Sequence, residues 1–274
     1  MKAILVPTDF SDASMNAIEY AAEMALSIKA KLILFNVYTT PPIAIEVPVL
    51  VLTDDELRAK CMDRLNEVKI NLHKKRGPNL DIECDCALGF EIDMINEFAA
   101  EKKPSMIVMG MQGANYIVER FLGSTTTAII RKSQYPVLCI NKDISFRTIK
   151  KILLAVDGKQ TEYKKVLDPL KKLVHLFNAH LYILHVAPAL AIVPEIEKTS
   201  FNAMEDEMTD IQHSYHYHTS NDVVGDINAF AIEINADMVV MIPRKHSLLD
   251  GILIEAYTKK MAFHTKFPLL SLHA

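Results

Sequence analysis

Lys2-Ala3-Ile4-Leu5-Val6-Pro7-Thr8-Asp9-Phe10-Ser11 reads as a short strand running into a turn. Ala3 to Val6 is apolar without alternation, as a strand buried on both faces must be, and Pro7 and Asp9 end the run. Ser11 is a good helix N-cap, and beyond it Ile18, Ala21, Ala25 and Ile28 fall on one helical stripe. A strand followed by such a helix is the building unit of a parallel α/β sheet. Working outward, Lys31 to Val37 predicts a second strand, and Thr39-Thr40-Pro41-Pro42 with Pro48 predicts a loop, because proline suits neither regular structure. Thr53 and Glu56 form a capping box that opens a helix to about Lys75, and Leu80 to Cys86 reads as a third strand. Ile92, Ile95, Phe98 and Ala99 mark a third helix, Met106 to Met109 a fourth strand, and Pro136 to Ile140 a fifth.

The same order begins again near residue 150 of the 274. Pro136 maps onto Pro268 at an offset of 132, which also carries Met106, Val108 and Met109 onto Met238, Val240 and Met241. The same offset sets Ile95, Asn96, Phe98 and Ala99 on Ile227, Asn228, Phe230 and Ala231. Upstream, Ile4 to Asp9 lies over Ile152 to Asp157, and Leu32 to Val37 over Leu181 to Val186. The expected organisation is two domains, residues 1–143 and 144–274, with a linker near Lys142 to Thr148.

In an open parallel sheet, ligands sit beyond the carboxyl ends of strands where the strand order reverses. The fourth strand is followed there by Gly110-Met111-Gln112-Gly113, nine residues, and Gly123-Ser124-Thr125-Thr126 at the start of a helix. Gly110 and Gly113 leave the backbone open to close approach, and the helix start offers free N–H groups and three hydroxyls to an anion. A lone Gly-x-x-Gly is more often a turn; the spacer, the Gly-Ser step and Asp9 on the facing wall together favour phosphate binding.

Gly-x2-Gly-x9-Gly-Ser after a fourth strand, with an Asp ending the first, resembles the nucleotide-binding pattern of the universal stress protein family, and the likeness covers nearly the whole chain. The resemblance implies two tandem flavodoxin-like (adenine nucleotide alpha hydrolase-like) domains, each a five-stranded parallel sheet with helices on both faces. It also implies ATP in the crevice with Mg2+ as companion, a role in stress survival, and association through the last strand. That association can pair the two domains of one chain or two chains in a homodimer. Carried over by position, Asp9 would contact ribose or metal-bound phosphates, and Val37 would offer backbone groups to adenine. Met109 and Gly110 would flank the nucleotide, Gln112 and Gly113 would run along ribose and phosphates, and Gly123, Ser124, Thr125 and Thr126 would hold the phosphates. Thr8-Asp9-Phe10-Ser11 departs from the pattern in lacking a glycine after the Asp.

The second half keeps Asp157-Gly158, but Gly110, Gly113, Gly123 and Ser124 become Ile242, Lys245, Glu255 and Ala256. Every feature that favours phosphate disappears, so one nucleotide per chain is expected. No catalytic residue is assigned, and a slow ATPase or an ATP-pyrophosphatase-like enzyme on the same fold stays an alternative. That enzyme class calls for a Ser-Gly-Gly loop after the first strand, which Thr8 to Ser11 does not supply. A flavoprotein is disfavoured by the absence of tryptophan.

His216 and His218 would share one face of a strand, and Cys84 and Cys86 match them in the first half, so a Cys2His2 zinc site is conceivable only if those strands meet. Met238, Met241 and Met261 read as core filling, and the apolar segment Pro42 to Leu52 as a cover for the nucleotide or a packing surface. A net charge of -4 argues against nucleic acid. Ala3 to Val6 is too short for a signal peptide or membrane span, and the four cysteines lack a secreted framework, so reduced thiols and a cytoplasmic location are expected.

Overall fold

The computed structural model describes residues 1–40, 53–111, 124–156, 163–187, 204–243 and 266–273. The first half runs β1 (Ala3–Pro7), α1 (Asp12–Ile28), β2 (Lys31–Tyr38), α2 (Asp54–Arg76), β3 (Ile82–Leu88), α3 (Glu91–Lys102), β4 (Met106–Met111), α4 (Ser124–Lys132) and β5 (Val137–Asn141). The second runs β6 (Lys151–Val156), α5 (Tyr163–Phe177), β7 (His180–Ala187), β8 (His213–Thr219), α6 (Val223–Glu233), β9 (Met238–Met241) and β10 (Leu269–Ser271). The ten described strands join one sheet in the order β3-β2-β1-β4-β5-β10-β9-β6-β7-β8. Within each half every pairing is parallel; the seam pairs β10 with β5 antiparallel, Leu270 opposite Leu138. The two five-stranded parallel halves are thus related as mirror-ordered copies that continue one another through their last strands.

The apolar runs explain the strands, since β1 and β5 are buried at every position. Alternate residues feed two cores, one on each face. Leu138, Leu270 and Leu154 go to one face, and Cys139, Leu269 and Leu153 to the other, so both cores pass unbroken through the seam. α1 starts on Ser11, whose hydroxyl accepts from the Ser14 N–H, and buries Ala17, Ile18, Ala21, Met24 and Ala25. The Thr53–Glu56 capping box opens α2, a mostly polar helix that buries Cys61, Leu65, Val68 and Leu72, one turn apart on a single stripe. β3 lies two residues later than Leu80 to Cys86, because β2 extends to Tyr38 and pairs it with Leu88. Met238 and Met241 are buried in the core; Met261 and the segment 42–52 lie outside the described residues.

The connection between β5 and β6 is anchored rather than loose. Asn16 Nδ2 donates to the carbonyls of Asn141 and Ile144, and Phe146 sets its ring edge-on to Tyr20 at 5.2 Å and near Phe177 at 6.4 Å. Arg147 pairs with Asp237 at 2.7 Å, while the other oxygen of Asp237 accepts from the N–H groups of Lys150 and Lys151.

Candidate functional site

β1 lies between β2 and β4, so the strand order reverses at its carboxyl end. A crevice of ≈ 320 Å³ opens there, a volume in the range of about 300–1,000 Å³ typical of small-ligand sites. Its floor is apolar, with Phe35, Val37, Ile95, Met109 and Met111, and Phe35 stacks flat on Phe98 at 4.0 Å. Its polar lining comprises Thr8, Ser11, Ser14, Thr125 and Thr126, of which Thr8, Ser14 and Thr126 are buried, and the carboxylates of Asp9 and Glu91.

The wall after β1 is tightly wired. Asp9 Oδ1 accepts from Ser11 Oγ at 2.6 Å and from the Ser11 N–H at 3.0 Å. Burial works to raise the Asp9 pKa, but the hydrogen bonds from Ser11 and Ser14 outweigh it and hold the carboxyl below its ordinary value. Phe10 sits at φ 61, the left-handed conformation that glycine adopts without strain, and its ring lies under the Arg64 guanidinium at 4.0 Å. The glycine missing from Thr8-Asp9-Phe10-Ser11 is therefore missing where the backbone turns as glycine would. Asn36 Nδ2 donates to the Thr8 carbonyl at 2.6 Å, and its Oδ1 accepts from the Cys61 thiol at 2.9 Å.

Across the crevice, Thr126 Oγ1 donates to the Gly110 carbonyl at 3.3 Å, and Thr125 Oγ1 donates to Glu91 Oε2 at 2.5 Å. Gly110 carries a second demand. A Cβ placed on it would lie 2.3 Å from the Ala13 carbonyl oxygen and 2.7 Å from the Ser14 nitrogen, so its bare backbone admits the first turn of α1. The sequence assigned that freedom to ligand approach; the protein's own helix occupies the Cβ direction, while the residue still lines the crevice.

Asp9, Val37, Met109, Gly110, Thr125 and Thr126 thus line one crevice, and Ser124 begins the helix beside it. Gln112, Gly113 and Gly123 lie outside the described residues, as do Asp157, Gly158, Lys245, Glu255 and Ala256. Glu91 and Ser14 were not singled out by sequence. Their helix-start positions are the available signal, but many helices place acids and hydroxyls there. In the second half, Ile242 stands where Gly110 does and packs its side chain against the core. The imidazole of His185 replaces the Asn36 amide, with Nδ1 3.1 Å from the Val156 carbonyl, the counterpart of Thr8.

The zinc arrangement is not assembled within one chain: Cys84 and Cys86 lie on β3 and His216 and His218 on β8, the two outer edges of the sheet. The histidines have other partners. His216 Nε2 is 3.0 Å from Ser214 Oγ, and His218 Nδ1 is 2.8 Å from Asp226. All four cysteines are free thiols, and burial pushes that of Cys139 up to about 12. No described helix is long and apolar enough to cross a membrane.

Comparison with known proteins agrees with this fold. The sequence profile of the universal stress protein family matches residues 1–141 and again residues 148–273. A universal stress protein of Methanocaldococcus jannaschii is 29% identical over 144 residues, 52% of this chain and 82% of that protein. One from Mycobacterium tuberculosis is 29% identical over 144 residues, 51% of this chain and 96% of that protein. The crystal structure of a universal stress protein from Archaeoglobus fulgidus covers 98% of this chain and 97% of its own, with a TM-score of 0.74 at 19% identity, a likeness of fold. With its profile matched twice in tandem, the chain belongs to the universal stress protein family.

Proposed function

We propose that this chain binds one adenine nucleotide, ATP with Mg2+, in the crevice of its first domain and serves as a nucleotide-dependent regulatory module in the stress response. Residues 1–143 form the binding domain and residues 144–274 a degenerate partner. Four free thiols fit work in a reducing cytoplasm. One observation carries the reading: Asp9, Thr125 and Thr126 share a crevice with the apolar floor of Val37 and Met109, at the point where the strand order reverses. An adenine ring suits that floor, and the hydroxyls of Thr125 and Thr126 suit a phosphate at a helix start. Asp9, held ionised by Ser11, is an oxygen donor fit for a ribose hydroxyl or a magnesium-bound water.

Titration calorimetry with ATP and Mg2+ should give a stoichiometry near one per chain. At a hundredfold excess over Kd the ligand should add about 2.7 kcal/mol of stability, read as a rise in melting temperature. Gly113→Val should abolish the rise; Gly110 is the wrong residue for this test, because any side chain there meets α1 first. Two equal sites, or no binding by the parent protein, would overturn the reading.

A further inference from the structure

The start of α4, where Thr125 and Thr126 line the crevice, already holds an anion supplied by the protein. Glu91, the first residue of α3, turns its carboxylate across the crevice and accepts from Thr125 Oγ1 at 2.5 Å. α3 does not depend on Glu91 alone for a favourable charge at its N-terminus, since Asp93 stands in the same turn. No described cation pairs with Glu91, and the described lining of the crevice contains two carboxylates, Asp9 and Glu91, with no lysine or arginine. A free polyphosphate entering this space meets the carboxylates of Asp9 and Glu91 and must also displace Glu91 from the hydroxyl it would use.

Resting on the reading of the crevice as a nucleotide site, we infer that Glu91 sets its specificity: its carboxylate holds the anion position on Thr125, so that a polyphosphate nucleotide enters as its divalent-cation complex rather than as the free anion. A cation on the phosphates cancels the repulsion from Asp9 and Glu91 and lets Glu91 leave Thr125 at little electrostatic cost. Glu91 is a selecting residue here, acting on the charge of what enters.

Glu91→Gln tests this, because glutamine keeps an acceptor for Thr125 without the charge. Calorimetric titrations of the parent and E91Q proteins would use ATP with Mg2+, ATP in EDTA, and adenosine. The parent should bind the magnesium complex about tenfold tighter than free ATP, the effect expected of like charges in a partly solvated site. In E91Q that ratio should fall to about threefold or less, by tighter binding of free ATP, with adenosine affinity unchanged. Should ATP bind both proteins with the same magnesium ratio, or should adenosine affinity shift as much as that of ATP, the role of Glu91 falls and the nucleotide site stands. If the parent binds neither form of ATP, both fall.

Discussion

At the end of β4 the chain has Gly110; at the end of β9 it has Ile242. The first is bare because main-chain atoms of Ala13 and Ser14 lie where a side chain would go, and the second fills that direction with four carbons packed on the core. The chain at the end of the first strand of each half is held by a side chain from the next strand, yet by an amide of Asn36 in one and an imidazole of His185 in the other. Strand order, register and core survive both changes. A parallel α/β frame is fixed by the burial of its strands, and the loops at its carboxyl ends can be rewritten without disturbing it.

The sharpest way to break this comparison is to exchange the two positions. Gly110→Val should destabilise the protein by about 3 kcal/mol or more, since it strikes main chain that cannot rotate aside. Ile242→Gly, which removes a half-buried side chain, should cost about 1–2 kcal/mol. Urea unfolding measures both, and equal losses would mean that the two strand ends are under the same constraint. An effect smaller than that of Gly110→Val is expected at the ties after the first strands. Asn36→Ala strips the buried Thr8 carbonyl and the Cys61 thiol of their partner and should cost about 1–3 kcal/mol. His185→Ala should cost a similar amount if the imidazole does the same work; a negligible loss would show that the second half no longer needs that strand end held.

The smallest effect concerns pH. Asp9 is held below its ordinary pKa by Ser11 and Ser14 against the opposing effect of burial, so its contribution to stability is present above the ordinary carboxylate range and lost as pH falls toward its folded value. Asp9→Asn should therefore lose less stability than the parent between about pH 5 and 3. Asp157→Asn sharpens the comparison, and identical acid profiles for both variants would mean that the two halves keep the same electrostatic corner.

The frame was legible because its causes are local or periodic. Continuous apolar runs marked the strands, Thr53 and Glu56 marked a helix start, and fixed offsets exposed the repeat. Association through the last strand was expected only through family likeness, and its antiparallel direction not at all, since nothing in Val137 to Asn141 distinguishes an edge that pairs with β10 from one that pairs elsewhere. What stayed hidden depends on contacts far apart in sequence. The grip of Asn16 on residues 141 and 144, and of Arg147 on Asp237, makes the supposed linker part of the core packing. The left-handed turn at Phe10 was invisible because its side chain gives no sign of it. Glu91 was hidden in another way: an acid in the first turn of a helix already has an ordinary explanation, and only the position of Thr125 reveals a second use.

The pairing of β5 with β10 has a consequence for what such a molecule can become. In a twofold assembly of identical polypeptides, any substitution is made twice, so a binding loop is kept by both members or lost by both. Covalent fusion lifts that constraint. Because one chain joins them, the two copies pair at the seam at any dilution, and one of them is free to give up its pocket and persist as a permanent scaffold for the other.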